Sequence, residues 1–340
     1  MLFMVVISSV LLLCYVVLII RYSCGWSKIK EISKKGFFPK VSIVISLRNE
    51  ESQINNLFSS LRSQSYPYEK LQIILVNDHS TDNTLSLLHK FDLDNLQVIN
   101  MPEGKQGKKA AIRMAVSLAT GDIILASDAD CIFGAQWVQS MVSYFSDYNV
   151  KLVSGPVFFN NQRGFFQNLQ ALEFASLIGS GAGSIGINNA LFCNGANMAY
   201  RKEVFLQMNI LNDKISVSGD DVFLLHSVKA KYINSIVFAK DKDAKVLTQS
   251  LENLTNFINQ RKRWAAKSIK YKDFSSIYTS YLVFFTNLFF ILLFFIIFID
   301  TLFFPFFIAF YFVKFIVDIF LLQPILHFFN RKDLIKWIFP

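Results

Sequence analysis

The stretch Val41-Ser-Ile-Val-Ile-Ser-Leu-Arg-Asn-Glu50 places four β-branched residues in five positions and then turns abruptly polar. β-Branched side chains are stiff about χ1 and pack well on a pleated surface. Val41–Leu47 therefore reads as a strand ending at Arg48-Asn49-Glu50. Working outward, 51–65 reads as a helix stopping near Pro67, and Leu71–Asn77 as a second strand. A helix follows from about Thr81, with Ser80 placed to cap it. Leu96–Asn100 is a third short strand, 108–119 a helix closed by Gly121, and 122–127 a fourth strand. Strand–helix alternation predicts an α/β fold with a mostly parallel sheet and helices on both faces. Ligands bind such sheets at the carboxyl ends of the strands. Polar residues just past those ends are the ones to inspect.

The ends of the chain differ from this middle. Of 340 residues, 53% are hydrophobic and 36 are Phe, with the excess concentrated in 1–20 and 278–329. Residues 2–20 carry no charge and are long enough to cross a bilayer core. No basic region precedes them and no small-residue cleavage site follows, which argues for an uncleaved anchor over a signal peptide. Arg21, Lys28, Lys30, Lys34, Lys35 and Lys40 follow the segment. By the positive-inside rule the N-terminus faces out and the next domain is cytoplasmic. Two further spans, 278–299 and 301–322, return the chain to the same side, where Arg331, Lys332 and Lys336 agree. Lys314 and Asp318 stand at i,i+4 within the last span and can pair on one helical face. The expected organisation is an anchor at 1–22, a basic linker at 23–40 and a catalytic domain at 41–272. Spans at 278–299 and 301–322 follow, with a tail at 323–340 that is interfacial or begins a further span. The expected location is an integral membrane protein of the plasma (inner) membrane with its catalytic domain cytoplasmic.

The net charge of +9 gathers beside these segments, where anionic lipid explains it without nucleic acid. Four cysteines without a CxxC spacing suggest no disulfide framework and fit a reducing compartment.

Carboxylates collect after the strands: Glu50 after the first, Asp78 after the second, Asp128-Ala-Asp130 after the fourth. Loops are rich in acids, which explains any one of these but explains the set poorly. Asp128 and Asp130 supply hard oxygen ligands for a divalent cation, with a diphosphate completing its shell. Gly107-Lys-Lys109 opens a helix, where free N–H groups and Lys108 suit phosphate. Gly219-Asp-Asp221 precedes an apolar run. One carboxylate there can cap a helix and the other can face a cleft and take a proton from a hydroxyl. Gln260, Arg263 and Trp264 share one helical face, with Arg suited to a diphosphate and Trp to a sugar ring, although juxtamembrane basic and aromatic residues also serve as plain anchors. Gly181-Ala-Gly-Ser-Ile-Gly186 satisfies G-x-G-x-x-G, but a helical-looking stretch precedes it where a dinucleotide site needs a strand. It is expected to be a flexible loop.

Taken in order, Val41–Glu50, Val76-Asn-Asp-His-Ser-Thr-Asp82, Asp128-Ala-Asp130, Gly219-Asp-Asp221 and Gln260-Arg-Lys-Arg-Trp264 resemble the family 2 glycosyltransferases with a GT-A fold. The likeness is greatest to the membrane group that includes cellulose synthase, hyaluronan synthase and ceramide glucosyltransferase. It implies an inverting, metal-dependent transfer from a nucleotide sugar, UDP-sugars favoured, to a lipid or lipid-linked glycan. By this resemblance Asp221, with Asp220 beside it, is catalytic, and Ser46, Arg48, Glu50, Asp78, Lys108 and Asp128 bind the nucleotide sugar. Asp130 and Asp128 hold Mg²⁺ or Mn²⁺, while Gln260, Arg263 and Trp264 serve the diphosphate and acceptor. Ser46 stands where the family often has Pro, and no Pro follows the D-x-D. A processive polysaccharide synthase is the alternative, disfavoured by few spans. An inactive membrane scaffold and a dehydrogenase built on Gly181–Gly186 are poorer ones.

Overall fold

The computed structural model describes residues 2–32, 36–160, 164–208 and 220–338. Lys34, Lys35, Gly219, Pro340 and the side chain of Asp220 fall outside that set. In chain order the elements begin with α1 (Leu2–Lys28), β1 (Val41–Leu47), α2 (Ile54–Arg62), β2 (Leu71–Asn77), α3 (Thr84–Leu88) and β3 (Leu96–Asn100). Then come α4 (Lys108–Leu118), β4 (Ile123–Asp128), β5 (Ile132–Phe133), α5 (Trp137–Val142), β6 (Leu152–Ser154), β7 (Val157–Asn160) and α6 (Phe165–Gly186). The chain continues through β8 (Asn197–Arg201), α7 (Lys202–Gln207), α8 (Asp220–Lys231), β9 (Ile236–Phe238) and β10 (Val246–Gln249). It finishes with α9 (Leu254–Ser268), α10 (Phe274–Ile296) and α11 (Phe304–Phe328).

These elements form two compact units. The first, Lys30–Gln167 with Phe192–Asn259, holds both sheets. Its seven-stranded sheet runs β3-β2-β1-β4-β8-β6-β9, and a three-stranded sheet runs β5-β10-β7. β1 is parallel to β2 and β4, and β2 to β3, while β8 runs antiparallel to β4 and β6. The α/β expectation with a mostly parallel sheet holds. Val41, Ile43, Val44 and Ile45 are each at most 1% exposed, so β1 is buried on both faces, which is why it reads as an unbroken apolar run. Each such side chain stabilises the fold by roughly 1.5–3 kcal/mol relative to exposure.

The second unit, Met1–Ile29, Asn168–Leu191 and Gln260–Pro340, is helical. Three of its helical stretches, Met4–Lys28, Phe274–Ile296 and Thr301–Phe328, are long and apolar enough to cross a membrane. Within the unit α1, α10 and α11 pack together, and a polar cluster joins two of them. Tyr15 donates to Asp318 Oδ1 at 2.6 Å, and Lys314 Nζ donates to Asp318 Oδ2 at 2.6 Å. The i,i+4 pair thus recruits a hydroxyl from another helix, which lowers the cost of charge in an apolar setting.

Three readings require correction. Gly181–Gly186 is the last part of α6, not a loop. The glycines there let backbones touch: a Cβ on Gly183 would lie 2.2 Å from the Tyr22 carbonyl oxygen, and one on Gly186 would lie 2.1 Å from the Gly25 carbonyl oxygen. The spacing follows helix packing rather than a phosphate turn. The helix expected over 51–65 is shorter, Ile54–Arg62, because 51–53 form a turn. Ser80 does not cap α3. Asp82 Oδ1 accepts the Thr84 N–H at 3.0 Å, and the Ser80 hydroxyl accepts the Asn49 N–H at 3.1 Å instead.

Candidate active site

The chain leaves β1 toward β2 and β3 on one side, then returns through α4 to β4 on the other. The crevice outside the carboxyl ends of β1 and β4 is therefore a topological switch point, where open α/β sheets bind ligands. Register fixes what stands there: Ser46 pairs with Asp128 on one side and with Val76 on the other, and Leu47 pairs with Asn77. The ends of β1, β2 and β4, with Asp128 as the last residue of β4, lie at one level.

The loops after β1 and β2 are stitched to each other. Asn49 adopts φ +57°, a left-handed conformation that Asn tolerates better than most residues. Its Oδ1 accepts the Thr81 N–H at 2.8 Å, and Glu50 N–H donates to Thr84 Oγ1 at 2.8 Å. Arg48 is exposed, and Glu50 is partly buried. Glu50's carboxyl is pushed up to about 7, first by burial and then by the charges of Asp130, Asp128 and Asp82. Those carboxylates therefore share one field.

Asp78 is only 4% exposed. Its N–H donates to the Leu47 carbonyl at 2.8 Å, and its Oδ2 accepts the Gly107 N–H at 2.9 Å. His79 Nδ1 stands 3.2 Å from its Oδ1. Gly107 has φ +95° and ψ 149°, a conformation essentially reserved for glycine, and it opens α4. The next residue, Lys108, reaches across to Asp128 Oδ1. Burial pulls the Lys108 ammonium down, but Asp128 and Asp221 outweigh it and hold it above the ordinary lysine range. Asp130 Oδ2 accepts from Thr248 Oγ1 at 2.7 Å, so β10 of the small sheet fixes the second aspartate.

Asp221, on α8, is held by backbone. Its Oδ2 accepts the Gly195 N–H at 3.1 Å, and its Oδ1 accepts the Val222 N–H at 2.9 Å. Gly195 sits so close that a Cβ there would be 3.2 Å from Oδ2. Asn197 braces this loop: its amide donates to the Pro156 and Ala244 carbonyls at 2.9 and 2.7 Å and accepts from Trp137 Nε1 at 3.0 Å. Trp137 and Asn197 are both 0% exposed, so the brace is a buried, satisfied network.

Ser46, Glu50, Asp78, Lys108, Asp128, Asp130 and Asp221 thus belong to the sheet unit, and Glu50, Lys108, Asp128, Asp130 and Asp221 act on one another electrostatically. Gln260, Arg263 and Trp264 lie on α9 in the helical unit. Sequence reasoning missed Thr248 and Gly195, since neither stands in a motif and each is found only through a partner far along the chain. It assigned the Gly107 turn to phosphate, whereas the Gly107 N–H already serves Asp78. Among the described residues no group of three or more His, Cys, Asp or Glu side chains is arranged to hold a metal ion.

The family model described as Glycosyl transferase family 2 matches residues 42–208. Glycosyltransferase AglE of Haloferax volcanii is 28% identical over 213 residues, covering 60% of this chain and 65% of that one. Poly-beta-1,6-N-acetyl-D-glucosamine synthase of Staphylococcus aureus is 29% identical over 140 residues, covering 41% of this chain and 34% of that one. The match thus spans just under two thirds of the first relative's length and a third of the second's. Among solved structures, the mannosyltransferase PcManGT from Pyrobaculum calidifontis, in complex with GDP-Man and Mn²⁺, superposes with a TM-score of 0.58 at 18% identity. It covers 76% of this chain and 72% of that one. Likeness at that identity shows the fold, a GT-A-type α/β domain, and Glu50, Asp78, Asp128 and Asp130 lie in the stretch that the family model matches, whereas β9 and Asp221 lie beyond it. Residues 42–208 are thus identified by that model as a family 2 glycosyl transferase domain.

Proposed function

We propose that the chain transfers a sugar, with inversion, from a nucleotide-sugar donor to a lipid or lipid-linked glycan at a membrane surface. The observation that carries the reading is the meeting of Asp78, Asp128, Lys108 and Asp130 at the carboxyl ends of β1, β2 and β4, with Asp221 within electrostatic reach of Lys108. Asp78, with Ser46, Arg48 and Glu50 around it, holds the nucleoside. Lys108 is poised to exchange Asp128 for an incoming phosphate, because the ion pair is half exposed, with the lysine side chain 52% accessible. In the helical unit, Gln260, Arg263 and Trp264 serve the diphosphate and the acceptor.

Asp221 accepts the proton of the acceptor hydroxyl. The oxygen forms its bond to the anomeric carbon as the bond to the diphosphate breaks, and the electron pair leaves with the nucleotide. Two backbone N–H groups fix the Asp221 carboxylate before substrate arrives, which removes reorganisation from the step. Asp220, the preceding residue of α8, shares the catalytic assignment. Asp128 and Asp130 fit Mg²⁺ or Mn²⁺: both are hard carboxylates, and the charge crowding that adds to burial in raising Glu50 is relieved by a cation. Being only two ligands, they need donor phosphate oxygens to complete the shell. When bound, the ion offsets the charge that develops on the leaving diphosphate. The mannosyltransferase of the same fold, solved with GDP-Man and Mn²⁺, is a precedent for that pairing.

The test is a donor screen on the membrane-reconstituted chain, reading UDP or GDP released and the size of the labelled product. A single-sugar lipid whose formation stops with EDTA and returns with Mn²⁺ agrees with the proposal. A ladder of products supports the second reading, a processive synthase, which the polysaccharide synthase relative favours. Release indifferent to EDTA overturns the metal role.

A further inference from the structure

Arg261 lies inside the Gln260–Trp264 stretch but was assigned no part in it. Its guanidinium makes contacts in three directions. Nε donates to Glu173 Oε1 at 2.8 Å and Nη2 donates to Glu173 Oε2, a two-pronged pairing with a carboxylate on α6. Nη1 donates to Gln260 Oε1 at 2.5 Å. Its Cζ lies over the Trp264 ring, 4.2 Å from the centroid. All four residues belong to the helical unit.

A planar group held by two parallel bonds has little freedom left. The Glu173 carboxylate therefore fixes the guanidinium, the guanidinium contacts the indole it lies over, and its third nitrogen fixes the Gln260 carbonyl oxygen. The charge of Arg261 is balanced by Glu173, whereas Arg263, exposed on the same helix, keeps its charge for a ligand. Lysine could not substitute for Arg261, because an ammonium has neither the fork nor the flat face.

We propose that Glu173 and Arg261 are positioning residues: they hold the Trp264 indole and the Gln260 amide in the orientation in which these engage the sugar acceptor. The inference rests on the acceptor role proposed above for Gln260 and Trp264.

The test compares Glu173→Gln, which keeps shape and loses charge, with Arg261→Lys, which keeps charge and loses the plane. Native membranes containing each variant receive labelled UDP-glucose, UDP-N-acetylglucosamine and GDP-mannose. Two quantities are read for every donor: sugar transferred to lipid or polymer, and nucleotide released to water. A second readout needs no turnover: the Trp264 emission, obtained as the difference between each protein and its Trp264→Phe counterpart. Both variants should shift and broaden that emission and lower transfer about tenfold, while release to water stays within about twofold. The double variant should be no worse than either single, because one unit is lost only once. An unchanged Trp264 emission, or transfer and hydrolysis falling in proportion, overturns the proposal. Lost transfer in Trp264→Ala with wild-type behaviour in Glu173→Gln sinks this inference alone. Wild-type transfer in Trp264→Ala sinks the acceptor reading beneath it.

Discussion

Gly107 holds Asp78 through a backbone conformation that other residues reach only with strain. A Cβ at that position meets nothing within 4 Å, so the penalty of Gly107→Ala is conformational rather than steric. About 1–3 kcal/mol of backbone strain is expected. A loop that relaxes to avoid it withdraws the N–H from Asp78, and nucleotide binding should weaken about tenfold while the fold persists. Titration with UDP and GDP checks this, and unchanged affinity would separate Gly107 from the nucleotide. Glu50 offers a second residue-scale expectation. Its folded carboxyl stands at about 7 against an ordinary 4.5, so the folded chain binds that proton more tightly than the unfolded chain. The contribution is complete below about 4.5 and is lost as pH rises through about 7. Melting temperature in EDTA should fall across that window, and Glu50→Gln should flatten the fall. A slope that survives the substitution would assign it to another group. The carboxylates of this cluster were legible one by one, because strand ends expose them in the sequence. Their partners were not: Thr248 is 118 positions from Asp130, and no local pattern predicts that bond.

At the scale of elements, the strands announced themselves. β1, β2 and β3 span Val41–Leu47, Leu71–Asn77 and Leu96–Asn100 as the sequence reading has them; β1 and β2 are buried along nearly their whole length, which demands apolar runs, whereas β3 is only half-buried. The helices were less legible. α6 continues through Gly181, Gly183 and Gly186, residues with poor helix propensity, because the close approach of another backbone compensates. A glycine tract therefore looked like a loop when it was a packing surface. The same fact gives a prediction. In Gly183→Ala the new methyl would stand 2.2 Å from the Tyr22 carbonyl oxygen, so α1 or α6 must move. Overpacking of this kind costs about 1–3 kcal/mol. Gly134→Ala, with open space around its Cβ and no left-handed φ, is the control. Thermal melts in detergent should separate the two variants by several degrees. Equal melting would mean that the α1–α6 contact is loose. The Glu173–Arg261 pairing, 88 residues apart, was beyond sequence reasoning for the reason that hid Thr248.

For the whole molecule, three helices long and apolar enough to cross a membrane stand in the apolar ends of the chain. The family model matches residues 42–208, most of them in the sheet unit, where a mostly parallel sheet gathers acidic side chains at its switch point. The central claim is that Asp221 removes the acceptor proton, a role consistent with a carboxylate pre-held by the Gly195 and Val222 N–H groups. Asp221→Asn keeps size and one acceptor oxygen but cannot take a proton. Measured side by side in reconstituted membranes, this variant should lose sugar transfer by about 10²–10⁴-fold while binding the donor nucleotide as tightly as the parent. Transfer at the parental rate, with the acceptor saturating, would contradict the account.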